Sequence, residues 1–172
     1  DNLTAHTHHA ADSSGSLCYN CHMPNTSYAL STAMRSHRID SPDVQRSADT
    51  GRPDACNLCH LDKSLAWAGD YLSEWYGQSP PKLTAEQQQL PASLLWLLKG
   101  DAIQRAVTAW HFGWTPALTA SDNTWQAPFL VQLLTDPYDQ VRFIAHRALR
   151  TVPGYTPNEF PFDFLASDEA HQ

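Results

Sequence analysis

The stretch LCYNCHMP, residues Leu17–Pro24, contains two cysteines three positions apart and a histidine directly after the second. The same pattern occurs once more as CNLCH, residues Cys56–His60, and the two copies together use all four cysteines of the chain. Cysteines at this spacing can form a disulfide, half of a zinc site, a thiol redox pair or a covalent attachment point for haem. The surrounding sequence has to decide among these four kinds of site.

The histidine that follows each cysteine pair favours haem. Two sulfur atoms one helical turn apart can bond one edge of a porphyrin, and the next residue can then place its imidazole beneath the iron. Histidine makes up 9 of the 172 residues, so two cysteine pairs would both be followed by histidine by chance about once in four hundred cases. The pattern predicts two covalently bound haem c groups, attached at Cys18, Cys21, Cys56 and Cys59, with His22 and His60 as proximal iron ligands.

The other three kinds of site fit the pattern less well. A structural zinc site usually has about 15–20 residues between its cysteine pairs, and the separation between Cys21 and Cys56 is much longer. Disulfides within each pair would close rings too small to stabilise a fold, and a thioredoxin-like pair needs a βαβ setting that this sequence lacks. Zinc is therefore the main alternative to haem.

Each iron needs a second axial ligand or keeps an open position. The cluster HTHH precedes the first motif, and a further histidine lies between the motifs in MRSHRID. Because imidazole is the commonest ligand of low-potential haem, we expect two of these four residues to complete bis-histidine coordination: His6, His8, His9 and His37. The alternatives are a solvated N-terminal segment and, for the last of them, a surface position beside Arg35 and Arg38.

The composition limits the classes of partner. The net charge of -7 disfavours nucleic acid and anionic lipid surfaces, since both repel an acidic protein. No apolar run approaches the roughly 20 residues that a membrane-spanning helix needs. The sequence begins at Asp1 without an initiator methionine or the features of a signal peptide, so we expect any targeting segment to lie outside the given sequence.

The pattern along the chain predicts a mainly α protein in two parts. Residues 1–79 would form an irregular segment wrapped around two haems, because porphyrin can replace part of a small hydrophobic core. Residues 80–172 would form a helical domain, with a boundary at Pro80-Pro81. The stretch from Pro153 would be an extended tail, since its aromatic residues are unusual for a disordered segment; they are Tyr155, Phe160, Phe162 and Phe164.

Helix boundaries can be predicted from capping residues. Ser64 or Asp62 begins one helix that Gly77 ends, Thr84 with Gln87 forms a capping box, and Asp101 begins another helix. Leu94–Leu98 lies in a helix expected between Pro91 and Gly100. A loop is expected around Pro116, followed by helices that start at Asp122 or Asn123 and at Asp136-Pro137. Helix pairs of this size indicate a short α-solenoid.

Several stretches resemble a known family. HTHH, GSLCYNCHMP, MRSHRIDSPD and RPDACNLCHLDKSLAWAGDYLSEWYG, in this order, resemble the C-terminal haem pair of a family of bacterial multihaem c-type cytochromes. GDAIQRAVTAW and LLTDPYDQVRFIAHRALRTVPGY resemble the HEAT-like helical repeats that follow in that family. The order of the haem motifs is also similar to the last two haem sites of pentahaem cytochrome c nitrite reductases.

The resemblance implies how the ligands are shared. His8 or His9 would ligate the haem on Cys56 and Cys59, and His37 would complete either the haem on Cys18 or one outside this chain. Family members usually have further haem motifs and a substrate-side region upstream, so enzyme activity is not carried over to these residues.

The function that the resemblance implies is electron transfer outside the cytoplasm, in the periplasm, with redox proteins or other haem-bearing chains as partners. Two alternatives remain open at this point. The chain could belong to a multihaem oxidoreductase that reduces a small nitrogen or sulfur compound at an open iron. It could also be a protein-docking module with structural haems.

Overall fold

A computed structural model describes residues 2–155 and 162–165 of the chain. The described part is mainly helical, as the sequence predicts, with eleven α-helices and one two-stranded hairpin. The helices are α1 Asn2–Thr7, α2 Cys18–His22, α3 Val44–Thr50, α4 Ala55–Cys59, α5 Leu65–Tyr76, α6 Ala85–Gln89, α7 Ala92–Lys99, α8 Ala102–His111, α9 Thr115–Ser121, α10 Ala127–Gln132 and α11 Asp139–Leu149. The strands are β1 Ser27–Ala29 and β2 Thr32–Met34.

The capping residues work as predicted in the middle of the chain. The Ser64 hydroxyl accepts the Trp67 amide at the start of α5, and Gly77 ends that helix in the left-handed conformation with φ 67°. The predicted capping box at Thr84 of α6 is complete, and Asp101, which was predicted only as a cap, forms a second complete box at α8. These capping hydrogen bonds join residues that are close in the sequence, so they do not depend on the surrounding tertiary packing.

Two predicted boundaries between α8 and α11 are wrong. Pro116 lies in the first turn of α9, where a proline is tolerated because its missing amide hydrogen has no helical partner. The next helix, α10, begins at Ala127 and not near Asp122, which has φ 62° and accepts a hydrogen bond from the Gln126 side chain on its carbonyl. The helix predicted at Asp136-Pro137 begins slightly later, at Asp139.

The hairpin was not predicted. Its two-residue loop, Leu30 and Ser31, has positive φ at both positions, which suits a tight antiparallel turn. The Tyr28 and Ser31 hydroxyls both donate to Oε1 of Gln140 in α11, at 3.0 and 2.7 Å. The hairpin is therefore held by a residue more than a hundred positions away.

The hydrophobic core has two clusters. One lies among α7, α8, α10 and α11 and includes Leu97, Phe112, Leu130, Ile144 and Leu149. Each fully buried side chain of this size contributes about 2 kcal/mol to the free energy of unfolding.

The second cluster joins the half of the chain that carries the cysteine motifs to the later helices. Leu58, Leu65 and Leu72 from α4 and α5 pack with Trp96 of α7 and Val107 of α8. The boundary expected near residue 80 remains a prediction, but the motif-bearing half and the following helices share buried side chains across it.

Part of the C-terminal stretch packs against α11. The Phe164 ring lies 4.8 Å from Phe143 and the Phe162 ring 5.1 Å from His146, measured between centroids. The Phe164 carbonyl accepts a hydrogen bond of 2.9 Å from Nε of Arg142. Phe160 lies outside the described residues. Among the described helices, none combines the length and the apolar composition that crossing a bilayer requires.

Candidate functional site

Both cysteine motifs form single helical turns that contact each other. Helix α4 is capped by Asp54, whose Oδ1 accepts the Cys56 amide at 2.9 Å. The end of α2 is held by the Arg35 guanidinium, which donates to the carbonyls of Tyr19 and Met23. Because α2 packs against α4, the two cysteine pairs are neighbours.

Each motif histidine faces one histidine of the HTHH cluster. The rings of His6 and His22 are parallel within 8°, with centroids 6.2 Å apart. The rings of His9 and His60 have centroids 6.1 Å apart and an interplanar angle of 31°. Both pairs thus combine the residue after a cysteine pair with a residue from the N-terminal segment.

The spacing of these pairs fits a metal ion between the rings. A bond between a metal and an imidazole nitrogen is about 2 Å long, and the ring centroid lies about 1 Å behind that nitrogen. Two imidazoles on opposite sides of one iron therefore have centroids about 6 Å apart. By contrast, His8 stacks directly on Trp75 with a centroid distance of only 4.0 Å.

Hydrogen bonds fix the tautomer of one ring in each pair. Nδ1 of His22 lies 2.8 Å from the Asp40 carbonyl, and Nδ1 of His9 lies 2.5 Å from the Thr7 carbonyl. A carbonyl oxygen can only accept, so Nδ1 carries the hydrogen and Nε2 presents its lone pair. This is the arrangement in which metal-ligating histidines are held in proteins.

Burial favours the neutral form of a ring in the second pair. The pKa of His60 is lowered, first by burial and then by the nearby His9. A neutral imidazole can bind a metal, whereas the protonated ring cannot, so this environment suits ligation.

Neither of the two remaining candidate histidines forms a ring pair with a motif histidine, although His8 lines the same cleft as His9 and His60. His8 has φ 55° and stacks its ring parallel to Trp75 of α5. His37 is exposed, and within residues 2–155 and 162–165 its ring stacks on no other aromatic ring. Arg38 beside it pairs with Asp40 at 3.0 Å. Met34 is a partly exposed residue at the end of β2.

Two neighbouring clefts lie beside the imidazole pairs. The first, of about 210 Å³, is lined by residues that include His6, His22 and Tyr76. The second, of about 490 Å³, extends from His60 to Pro116 in α9. Residues from both motifs and from α5 line both clefts, so they share a wall: His9, Gly15, Cys21, Cys56, Leu72 and Trp75.

The second cleft has an aromatic wall on α5. Trp67, Tyr71 and Trp75 recur one helical turn apart, with successive ring centroids 5.0 and 4.5 Å apart. The Trp67 ring also lies 4.8 Å from His60. All three side chains are only half-buried. They form an apolar wall of the kind that a large flat cofactor would cover.

The thiols have none of the features of a redox pair. Burial raises the pKa of Cys21 and of Cys56, and raises the pKa of Cys59 to about 12. Redox-active cysteine pairs instead contain a thiol whose pKa is lowered. In the described part of the chain, all four thiols are free of disulfides.

The arrangement of metal-binding side chains is pairwise. Among the described residues, no three His, Cys, Asp or Glu side chains come together as ligands for a bare metal ion. A haem iron requires only one or two protein ligands, because the porphyrin occupies its other positions.

Sequence reasoning did not identify the specific role of His6 or the residues that hold the rings. His6 was one of four candidates, and its separation of three positions from His9 was the available signal for a shared face. The backbone carbonyls of Thr7 and Asp40 carry no sequence signal. Comparison of the chain with protein-family models, curated proteins and solved structures found no match.

Proposed function

We propose that this chain is a dihaem c-type cytochrome unit that transfers electrons. Haem c would be attached at Cys18 and Cys21 and at Cys56 and Cys59. The observation that carries the proposal is the pair of opposed imidazoles at each motif, at centroid distances of 6.2 and 6.1 Å.

The geometry supports one assignment of axial ligands. His22 and His6 would hold the iron at the first motif, and His60 and His9 the iron at the second. When bound, haem supplies a centre that accepts and releases one electron without proton chemistry at the protein. Bis-imidazole ligation keeps such a centre low-spin and leaves no position for substrate.

The chain's own residues hold the two sites next to each other. The contact between α2 and α4 and the shared wall of the clefts support close spacing of the two cofactors. Trp67, Tyr71 and Trp75 would cover apolar porphyrin surface and exclude water from it. Water exclusion and axial ligation are the two means by which the protein would set the reduction potentials.

His37 has a different proposed role. It is exposed and faces neither imidazole pair, which supports the option that it ligates a haem outside this chain. Other haem-bearing chains or domains are therefore proposed partners. Covalent haem and the family resemblance also place the protein, as a proposal, in the periplasm.

The later helices would form a HEAT-like docking or assembly surface. In support of this proposal, α8 packs against both α7 and α11, so three helices of this region lie side by side. The acidic composition would favour a basic redox partner, with association that weakens as salt screens the charges.

The proposal is tested by haem content in paired cysteine variants. Wild-type protein from a host that matures c-type cytochromes should contain two haems per chain. Cys18→Ala/Cys21→Ala and Cys56→Ala/Cys59→Ala should each retain one, and redox titration of wild type should show two reversible one-electron steps. Zinc in place of haem, or haem content that is unaffected by these substitutions, would contradict the proposal.

A further inference from the structure

A glycine lies against the face of one proposed iron ligand. Gly15 sits in a 3-10 turn, Ser14–Ser16, between the HTHH cluster and the first motif. A Cβ atom at Gly15 would lie 2.2 Å from Cδ2 of His9, 2.4 Å from Cγ and 2.9 Å from Nε2. Non-bonded carbon atoms attract at about 3.5–4.0 Å, so all three distances are strongly repulsive. The imidazole can occupy its position only because residue 15 has no side chain.

Thr7 holds His9 through two hydrogen bonds. The Thr7 carbonyl accepts the Nδ1 hydrogen at 2.5 Å, and the Thr7 hydroxyl accepts the His9 amide at 3.4 Å. Ser16 closes the arrangement, because its hydroxyl lies 2.9 Å from that of Thr7 and donates to the His9 carbonyl at 3.3 Å. Thr7, Gly15 and Ser16 therefore form a clamp around His9.

The ligand of the other pair has no such clamp. His6 is exposed, and its ring makes an edge contact with Tyr76 at 5.9 Å. Within the part of the chain that the structure describes, no hydrogen bond to a ring nitrogen of His6 is present. The two proposed distal ligands are thus held in physically different ways.

We propose that Gly15 is a positioning residue for His9. Its missing side chain lets the 3-10 turn lie against the imidazole and hold the ring in its position beside His60. A methyl group at residue 15 has to move the ring or the turn by about 1 Å to reach normal contact, which is half the length of a metal–nitrogen bond of about 2 Å. This inference rests on the proposed dihaem function and assigns a role to a residue that binds no cofactor.

The test is carbon monoxide binding by dithionite-reduced Gly15→Ala protein, with haem counted per chain. We expect one of the two haems to bind the gas, compared with neither in wild type. Gly77→Ala is the matched control, because a Cβ there meets nothing within 4 Å. Its φ of 67° makes this control strained, so it should lower stability without opening an iron.

Double variants show which iron has opened. Gly15→Ala combined with His6→Ala should bind carbon monoxide at both haems, because the two changes release different ligands. Gly15→Ala combined with His9→Ala should bind it at only one, because both changes release the same ligand. The opposite pattern, or a Gly15→Ala protein as inert as wild type, would overturn the role of Gly15.

A second variant is needed in case the Gly15→Ala protein does not incorporate haem. Ser16→Ala only removes an atom from the clamp, and we expect slow carbon monoxide binding at one haem. Complete inertness of this variant would overturn the clamp. If wild type itself lacks two haems or binds the gas, the dihaem proposal has failed, and this result is distinct from either outcome for Gly15.

Discussion

The imidazole rings of His6 and His22 lie parallel within 8°, with their centroids 6.2 Å apart. His6 is in the last turn of α1, and its backbone carbonyl accepts a hydrogen bond from the Tyr76 hydroxyl of α5. His22 ends α2 and is held by the Asp40 carbonyl. The backbone of His6 is therefore held from α5, and the ring of His22 from the segment that contains Asp40.

The first prediction compares His6 and His8, two histidines of the HTHH cluster whose rings make different contacts. His6→Ala should leave one haem without its distal ligand, so half of the reduced haem should bind carbon monoxide. His8→Ala is the matched control and should bind none, because the His8 ring stacks on Trp75 and not opposite a motif histidine. The assignment is wrong if the two variants exchange these results.

A second prediction concerns His37. Because its side chain is exposed and lies against neither pair, His37→Ala should leave both haems of the isolated chain low-spin and unreactive to carbon monoxide. The visible and electron paramagnetic resonance spectra measure this directly. A high-spin signal from one haem would instead make His37 a ligand within this chain and displace His6 from that role.

A third prediction compares a buried and an exposed ion pair. Arg105 donates to both carboxylate oxygens of Asp136, at 2.6 and 3.1 Å, and Asp136 is buried. Arg105→Met leaves that carboxylate without its cation and should lower the free energy of unfolding by about 3 kcal/mol.

The matched control for this comparison is Lys99→Met. Lys99 pairs with Glu86 on the surface, with both side chains more than half exposed, so its loss should cost less than about 1 kcal/mol. Urea unfolding followed by far-ultraviolet circular dichroism measures both variants. Equal losses would mean that the burial of Asp136 has no energetic effect.

A fourth prediction concerns pH. Burial lowers the pKa of His111 from 6.5 to about 4, and its Nδ1 donates to the Val107 carbonyl at 2.8 Å. Below pH 6.5 the unfolded chain binds a proton at this residue while the folded chain does not. The stability that neutral His111 provides is therefore complete above the unfolded pKa and is lost as the pH falls toward 4.

The measurement for this prediction is the difference in unfolding free energy between wild type and His111→Leu across that pH range. Wild type should lose up to about 3 kcal/mol relative to the variant as the pH falls. Using the difference removes the contribution of the other histidines. A difference that does not change with pH would show that His111 is protonated equally in both states.

The parts of the fold that sequence could predict are those with local causes. Ser64, Thr84 and Asp101 each cap a helix through a hydrogen bond to a residue three positions away. The hairpin at Tyr28 was missed because Gln140, far along the chain, holds it in place. Pro116 was misassigned because a proline is compatible with both a loop and a first helical turn.

The candidate site also has one part that can be predicted from local sequence and another that depends on tertiary packing. The pattern of Cys18, Cys21 and His22 is contiguous and can be identified in the sequence alone. The choice among the four spare histidines depends on how α1 lies against α2 and α5, which no local rule determines. The proposed role of Gly15 also cannot be identified in the sequence, because it depends on how closely the His9 ring approaches residue 15 in the folded chain.

The most direct test of the central claim is the visible spectrum of the dithionite-reduced protein, with haem quantified per chain, before and after carbon monoxide is added. The opposed pairs of His6 with His22 and of His9 with His60 predict two c-type haems per chain and no response to the gas. A protein without two haems, or a wild-type spectrum that shifts when the gas is added, would contradict an electron relay with two bis-histidine sites.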